Sequence, residues 1–343
     1  MKRFHPSPPE TPFYDSRKGV DRSLSGGQSP PDDTSWGGTP GRSKDTYEVP
    51  GEHVMMYIGQ PTQLYIRIPE PKEIWPTLRD RDGGNPDNRN NKESIHVLLI
   101  EGTGIPDHDV EITVQMILPS GGHDHTNQPP TEMRGLLTAT GGTTATGNGE
   151  VTARTNAQGG ITVTHAAPEF GGRFELIARA QVQGKILEDR DTLTVRVPDL
   201  VELPEVNYYE LIGRTNDHPS NHWATQLVME NIQSIAMAWF LLYPNESPIS
   251  INDISLEYGG LFDVTGNWRP PHSSHRIGTD VDVRTALPGL RSGIPTRTPR
   301  DATDWAATTW VGNINFEDIC RVFNGEPELH SPDSANEHYH IDF

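Results

Sequence analysis

The sequence predicts a multidomain protein in which an all-β sandwich is followed by an α+β domain. Three observations lead to this fold class. Residues 95–197 read as short strands separated by turn residues, without a helical pattern between them. After Pro204 the spacing of apolar residues becomes helical. The 343 residues include 33 glycines and 30 prolines, a composition that suits turns and strands better than long helices. A chain of this length has room for two domains and a tail.

The chain carries a net charge of −19 at pH 7, because 47 Asp and Glu residues outweigh 28 Lys and Arg residues. We therefore expect no nucleic-acid partner and no binding to an anionic membrane surface. The sequence contains no apolar run long enough for a transmembrane helix. Met1-Lys2-Arg3 is not followed by an apolar segment, so a conventional secretion signal is not expected either.

Residues 1–45 are polar and rich in Pro, Gly, Ser and Asp, which predicts a disordered tail or one that becomes ordered against a partner. Residues 46–200 form the predicted sandwich. It begins with a β-like segment at 54–68, and a polar loop at 79–91 separates this segment from the remaining strands. The predicted boundary with the following domain lies at residue 200.

Alternation of apolar and polar residues predicts the strands of the sandwich. Ile112, Val114 and Met116, with Leu118 after them, predict a strand that has one face on a core. The strands predicted after it are 136–140, 151–155, 161–165, 174–181 and 192–197. A glycine-containing turn separates the second and third of these, which predicts that they form a hairpin.

Two segments of the sandwich, GGHDHTNQPP and TNAQGGITVTHAAPEFGGRFELIARA, resemble immunoglobulin-like modules of bacterial surface and exported proteins. The resemblance covers about 100 residues, the size of such a module, and implies a role in positioning or binding. The first segment contains His123, Asp124 and His125. We expect a polar loop tip here, because no third and fourth metal ligand lies nearby in the sequence.

Residues 201–343 are the predicted α+β domain. Apolar residues at helical spacing predict a long helix at 221–243, which ends before Pro244. A second helix is predicted at 315–323, with Asn315 as its N-cap. Short strands are expected between and after the two helices.

The single cysteine and several histidines of this domain have plain structural interpretations. Cys320 excludes an intrachain disulfide and a structural cysteine-type zinc site, and we expect it to be a buried small apolar residue. His218 and His222 lie at the N-terminal end of the predicted long helix and are expected to be surface residues, not ligands. His330 has no assigned role.

The richest group of chemically active residues lies in the sequence PPHSSHRIGTDVDVR. Val281 and Val283 alternate with charged residues, which predicts a strand whose valines face a core and whose Asp282 faces the other way. Gly278 permits a tight turn or a close backbone approach before this strand. We therefore expect His275 and Asp282 to converge across the bend.

A second group lies in the C-terminal sequence EHYHIDF, where His338 and His340 share one face of a strand. A zinc hydrolase typically takes three protein ligands and leaves the fourth position to water. His275, Asp282 and His340 supply two imidazoles and one carboxylate, and we expect them to bind one zinc ion (Zn2+) per chain. Glu337 is the candidate general base, because it lies nearby and is not needed as a ligand.

The pattern HxxxxxxD followed by HxH, with SxHxxGxDxD around its first part, resembles the LAS group of zinc peptidases. This group includes D-Ala-D-Ala carboxypeptidases, penicillin-insensitive murein endopeptidases and the hedgehog signalling domain. The resemblance covers residues 205–343. It implies that His275, Asp282 and His340 are the zinc ligands. It also implies that His272 and His338 support the ligands or stabilise the transition state.

The sequence has features of two branches of this group, the murein endopeptidases and the D-Ala-D-Ala carboxypeptidases. HSSHRIGTDVDV is closest to the endopeptidase form, which has an extra histidine three residues before the first ligand. The spacing from Glu337 to His340 instead matches the ExxH of the carboxypeptidases, in which the Glu is the general base. Glu337 can serve in this way only if the chain bends there, because residue 337 in a continuous strand would point away from the histidines.

Arg269, Arg276 and Arg284 are candidates for binding a substrate carboxylate or stabilising an oxyanion, with solvated salt bridges as the alternative. The resemblance implies a zinc metallopeptidase of bacterial cell-wall peptidoglycan, either an endopeptidase or a D,D-carboxypeptidase. Such a protein would be periplasmic or secreted, and its sandwich or tail could bind a protein partner. The alternative is a surface, assembly or binding protein that keeps the peptidase-like fold without catalysis.

Overall fold

The computed structural model describes residues 61–78, 90–140, 145–244, 248–269, 274–284, 316–331 and 337–343. The tail predicted at 1–45 lies outside these residues. The described part is mostly β, with several sheets and two α-helices. Neither of these helices is both long and apolar enough to cross a membrane.

Two sheets pack face to face before residue 200. One has the strand order β1-β3-β9-β6-β7, with β4 also on β3, and the other has the order β2-β11-β10-β5-β8. Alternating apolar residues from both sheets enclose one core, as in a sandwich. The strands are β1 Gln63–Arg67, β2 Glu73–Ile74, β3 Lys92–Glu101, β4 Thr103–Gly104, β5 Asp109–Met116, β6 Leu136–Thr140, β7 Ala145–Asn148, β8 Glu150–Arg154, β9 Gly160–Ala166, β10 Gly172–Val182 and β11 Lys185–Val195.

The hairpin predicted at 151–165 is wrong. β8 pairs with β5 in one sheet, whereas β9 pairs with β3 and β6 in the other. The Asn156 side-chain oxygen accepts hydrogen bonds from the backbone N–H groups of Gln158 and Gly160, and this turn carries the chain between the sheets. Val151 and Ile161 consequently enter the shared core from opposite sides. Period-two alternation describes both strands well but does not reveal which partner each one pairs with.

The remaining elements form a second layered region. A five-stranded sheet has the order β13-β15-β16-β18-β17, and β12 pairs separately with β14. Both helices contribute buried residues to the apolar core on one face of the larger sheet. The elements are β12 Leu200–Glu202, β13 Tyr209–Leu211, β14 Trp223–Thr225, α1 Gln226–Leu242, β15 Ile249–Asp253, β16 Asp280–Arg284, α2 Phe316–Val322, β17 Glu326–His330 and β18 His338–Asp342.

Helix α1 starts at Gln226, later than the position predicted from apolar spacing. Trp223, which fits the helical spacing, instead belongs to β14 and pairs with Glu202. The Thr225 hydroxyl accepts a hydrogen bond from the backbone N–H of Val228 and caps the first turn. In α2, Cys320 is fully buried and burial raises the pKa of its thiol, in agreement with the structural role expected for it.

The sandwich and the C-terminal sheet belong to one compact unit. Backbone hydrogen bonds link them: the N–H of Val197 donates to Tyr258, and the N–H of Leu261 donates to Glu169. Glu169 also pairs with Arg276, which adds a charged contact to the same junction. These contacts hold the segment between β15 and β16, which supplies Asp263 and His275 to the sites described below.

Candidate metal centre

The pairing of β16 with β18 places Asp282, the predicted carboxylate ligand, beside His340, a predicted histidine ligand. Asp282 on β16 and His340 on β18 are direct partners in an antiparallel ladder, and Asp282 Oδ1 lies 2.9 Å from His340 Nδ1. Their apolar neighbours Val283 and Tyr339 point to the opposite face, into the core. The predicted alternation of this strand is therefore confirmed, and it directs both polar side chains to the same face.

His275 reaches the same carboxylate from the segment before β16. Its Nε2 lies 3.2 Å from Asp282 Oδ1, and the side chain is 1% exposed. Its backbone has a left-handed φ of 63°, and its N–H donates to Asp280 Oδ2. Gly278, also with positive φ, brings the chain against Ala224, where a Cβ would lie 3.0 Å from the Ala224 Cα. The close approach predicted at this glycine is confirmed.

Hydrogen bonds orient the two imidazoles for metal binding. His275 Nδ1 lies 3.0 Å from the carbonyl oxygen of Ile254, so a proton on Nδ1 leaves the Nε2 lone pair directed at Asp282. His340 Nε2 lies 3.2 Å from Asp342 Oδ1, which leaves its Nδ1 lone pair for the same point. Metal-binding histidines commonly donate their second ring N–H to a carbonyl or carboxylate in this way. The three buried side chains lie close enough together to hold a metal ion.

The electrostatics of this cluster favour a positive charge at its centre. Burial by itself raises the pKa of Asp282, but the neighbouring charge of His275 and hydrogen bonds from His275 and His340 hold that pKa well below its usual range. Burial lowers the pKa of His275, yet the Asp282 carboxylate outweighs it and raises the pKa to about 9. The pKa of His340 is also raised against the effect of burial, through its hydrogen bond with Asp282. A divalent cation supplies the same positive charge without these protons.

A further carboxyl group, which the sequence analysis did not identify, adjoins the cluster. Asp253 on β15 is the ladder partner of Asp282 on its other side. It is buried, and burial raises the pKa of Asp253 to about 7. The side-chain amides of Asn221 and Asn252 donate hydrogen bonds to its two oxygens. Alternation along β15 does not predict this position, because an irregularity in the pairing between Ile251 and Asp253 changes the register at Asp253.

His338, Glu337 and His272 were predicted to assist catalysis, and the structure describes the first two of them. His338 is partly exposed, with its Nε2 3.5 Å from Asp282 Oδ2. Glu337 is 1% exposed and lies immediately before β18, which begins at His338. The strand alternation that would have turned Glu337 away from the histidines therefore does not extend to it. His272 lies outside the described residues. The ring of His330 lies against those of both His338 and His340, with centroid distances of 5.4 and 5.2 Å.

The three arginines do not gather around the cluster. Arg276 is 9% exposed, and its Nη1 lies 3.0 Å from Glu169 Oε2 at the junction with the sandwich. Arg269 is exposed in the loop after β15. Arg284 is half-buried at the end of β16, where it is the ladder partner of His338. Of the three, Arg284 is placed by strand alternation on the same face as Asp282.

A second buried cluster overturns two expectations about histidines. His123 and His125 do not form a solvated loop tip, because they meet His218 and Asp263 in the interior, and the four side chains can hold a metal ion. His218 is fully buried and therefore not a surface residue. His222 is 1% exposed, with its Nε2 3.2 Å from the carbonyl oxygen of Ile251. The missing ligands were distant in sequence, so spacing could not reveal them.

The sequence matches no protein-family model and no curated protein. Distant structural matches are to β-sandwich domains. The reeler domain of human F-spondin has a TM-score of 0.26 and 13% identity, over 40% of this chain and 91% of that one. A conjugative transposon lipoprotein from Bacteroides eggerthii has a TM-score of 0.21 and 10% identity, over 39% and 96%. The collagen-binding subdomain of Enterococcus faecalis surface protein ACE has a TM-score of 0.19 and 8% identity, over 38% and 94%.

Proposed function

We propose that this chain is a zinc-dependent peptidase that hydrolyses peptide bonds of bacterial cell-wall peptidoglycan. The observation that carries the proposal is the convergence of His275, Asp282 and His340 on one point, with both imidazoles oriented by hydrogen bonds to their outer nitrogens. Two imidazoles and one carboxylate are a ligand set that catalytic zinc sites use, and such sites leave one coordination position open. When bound, zinc supplies a Lewis acid and lowers the pKa of its water to about 7.

Glu337 is the residue to which we assign proton transfer. A peptidase needs a carboxylate that accepts a proton from the attacking water and later delivers it to the leaving amine. Glu337 is buried, is three residues from the ligand His340, and precedes the strand rather than forming part of it. A carboxylate in this position is not required as a fourth ligand, so it is available for the proton.

His338 and Arg284 are assigned to the substrate. Both lie at one end of the ladder between β16 and β18, directly opposite each other. A partly exposed imidazole near Asp282 is suited to donate a hydrogen bond to the oxygen that becomes negative in the transition state. The Arg284 guanidinium can pair with a peptide carboxylate in two-pronged geometry. A terminal carboxylate is the feature that a D,D-carboxypeptidase must recognise, whereas an endopeptidase does not depend on it.

The substrate fixes the proposed location. Peptidoglycan lies outside the cytoplasmic membrane, so the protein would act in the periplasm or after secretion. We assign to the sandwich, with its immunoglobulin-like sequence features, the attachment of the enzyme to the wall or to a protein partner. The acidic net charge suits a soluble wall enzyme and gives no support for a nucleic-acid partner.

Digestion of purified peptidoglycan tests the proposal. We expect the zinc-loaded protein to release wall peptides, the chelator-treated protein to release none, and added zinc to restore release. Mass spectrometry of the fragments identifies the bond: loss of one terminal residue marks a carboxypeptidase, and opened cross-links mark an endopeptidase. Binding of peptidoglycan without any released fragment would contradict catalysis and support the alternative, a wall-binding protein that keeps the peptidase-like fold.

A further inference from the structure

Four buried side chains from three separate loops meet where the sandwich adjoins the C-terminal sheet. His123 and His125 lie in the loop after β5, His218 lies before β14, and Asp263 lies after β15. The most exposed of them, His125, has 5% of its surface accessible. Three imidazoles and a carboxylate are costly to bury together unless their polar atoms are satisfied.

The inward-facing atoms lie close to the spacing of the ligand atoms around a tetrahedral metal ion. His125 Nε2 lies 3.4 Å from His123 Nδ1 and 3.1 Å from His218 Nε2. Asp263 Oδ1 lies 2.9 Å from His218 Nε2, 3.3 Å from His125 Nε2 and 3.5 Å from His123 Nδ1. Zinc–nitrogen bonds of about 2.0–2.1 Å place the ligand atoms of a tetrahedron about 3.3–3.4 Å apart.

Hydrogen bonding alone accounts poorly for this arrangement. His125 faces two other rings nitrogen to nitrogen, and N–H groups on several inward nitrogens would point at one another. The outer nitrogens of His123, His125 and His218 are buried, with no hydrogen-bond partner among the residues that the structure describes. The polar contacts of these rings are therefore made by the nitrogens that face the centre of the cluster. A cation at the centre would accept the lone pairs of all three nitrogens.

The surroundings hold the ligands in place and exclude water. The backbone N–H of Trp268 donates to Asp263 Oδ2, which leaves Oδ1 for the cluster. The Trp268 ring stacks on His125 with a centroid distance of 4.0 Å, and its indole N–H donates to the Asn127 carbonyl. The ring of Phe262 packs edge-on against His218. Supporting contacts of this kind are typical of a preorganised metal site.

We propose that His123, His125, His218 and Asp263 bind a structural zinc ion that fastens the sandwich to the C-terminal sheet. Four protein ligands fill the tetrahedron and leave no position for water or substrate, in contrast to the three-ligand set at Asp282. The chain would then bind two zinc ions, rather than the single ion expected from the sequence. This proposal does not depend on the peptidase activity.

Zinc content of the purified full-length chain tests the proposal, after dialysis against a weak chelator. We expect two zinc ions in wild type and one each in His125→Gln, Asp263→Asn and Asp282→Asn. His96→Ala removes an exposed histidine from β3 and serves as the matched control, with two zinc ions expected. Stripping the metal should lower the unfolding temperature of Asp282→Asn, which keeps only the structural ion, further than that of His125→Gln, which keeps only the ion at Asp282.

The outcomes separate the two sites. A wild-type chain with one zinc ion that Asp282→Asn loses and His125→Gln retains would overturn the structural site. One zinc ion that both His125→Gln and Asp263→Asn lose and Asp282→Asn retains would support it and count against the proposed catalytic site. If the variants fail to fold, cobalt(II) added to metal-free wild type is the alternative measurement. A tetrahedral cobalt spectrum that added azide leaves unchanged supports the closed four-ligand site, and azide sensitivity of all the bound cobalt overturns it.

Discussion

Arg276 Nη1 lies 3.0 Å from Glu169 Oε2, and this ion pair joins the segment that carries His275, a candidate metal ligand, to the sandwich. Both side chains are largely buried, so the pair is shielded from solvent screening. Arg276 therefore holds the two parts of the molecule together, although its type and its place in the sequence had suggested a substrate contact.

Arg276→Ala is expected to lower the free energy of unfolding by about 1–3 kcal/mol, because it removes a largely buried, charged hydrogen bond to Glu169. Urea unfolding at pH 7 measures this loss. Arg269→Ala removes an exposed guanidinium and is the matched control, with a change within about 0.5 kcal/mol. Equal stability of the two variants would show that the ion pair does not secure the junction.

Arg284→Gln is expected to raise KM for a carboxylate-terminated wall peptide at least about tenfold while zinc content and stability stay unchanged, because a lost charged hydrogen bond costs about 1.5–3 kcal/mol. Steady-state kinetics on a synthetic peptide, with its C-terminal amide for comparison, measures the effect. The amide should bind the wild-type enzyme as weakly as the acid binds the variant. An unchanged KM for the acid would remove Arg284 from the substrate site.

Gly278→Ala is expected to weaken zinc binding at the candidate active site. Gly278 has φ 72°, and a Cβ there would lie 2.6 Å from Leu200 Cδ2 and 3.0 Å from the Ala224 backbone, so the segment with His275 must shift. Gly184→Ala is the control, because Gly184 has φ 80° but open space around the added Cβ. Both variants bear the strain of a left-handed alanine, about 1–2 kcal/mol. A zinc titration that does not distinguish the two would contradict the close-approach argument.

The free energy of unfolding should decrease as the pH is lowered, and His165 should account for part of the decrease. Burial lowers the pKa of His165 to about 4, below its ordinary value of 6.5. Between these values the unfolded chain binds the proton and the folded chain does not, so stability is complete above pH 6.5 and is lost as pH falls towards 4. The full contribution is about 3 kcal/mol. His165→Gln should have a shallower pH dependence of unfolding free energy over this window, and parallel curves would contradict the prediction.

Local patterns predicted the elements that carry the Asp282 site but not every pairing. The alternation around Val281 and Val283 predicted both the strand β16 and the side of the sheet on which Asp282 lies. It did so because the valines face an apolar core and Asp282 faces the other way. The prediction of a hairpin at 151–165 was wrong because the alternation of apolar and polar residues does not reveal which strand a given strand pairs with. Trp223 shifted the expected helix start because an apolar residue fits both a buried strand and a helix.

The buried cluster of His123, His125, His218 and Asp263 could not be predicted from the sequence. His125 and His218 are 93 residues apart, and both stand in loops, where no periodicity reports which way a side chain points. The closely spaced His123 and His125 were a signal, but interpreting them required the fold that brings Asp263 to the same place. The three candidate ligands His275, Asp282 and His340 were predictable from the sequence, because two of them lie on strands and the third lies just before one.

The most direct test of the peptidase account compares Glu337→Gln with Glu328→Gln in zinc-loaded protein. Glu337 is buried before β18, whereas Glu328 is an exposed glutamate on the neighbouring strand β17. We predict that Glu337→Gln keeps its zinc but releases wall peptides at least about 100-fold more slowly, the usual contribution of a general base. Glu328→Gln should match wild type. Full activity in zinc-loaded Glu337→Gln would contradict the account.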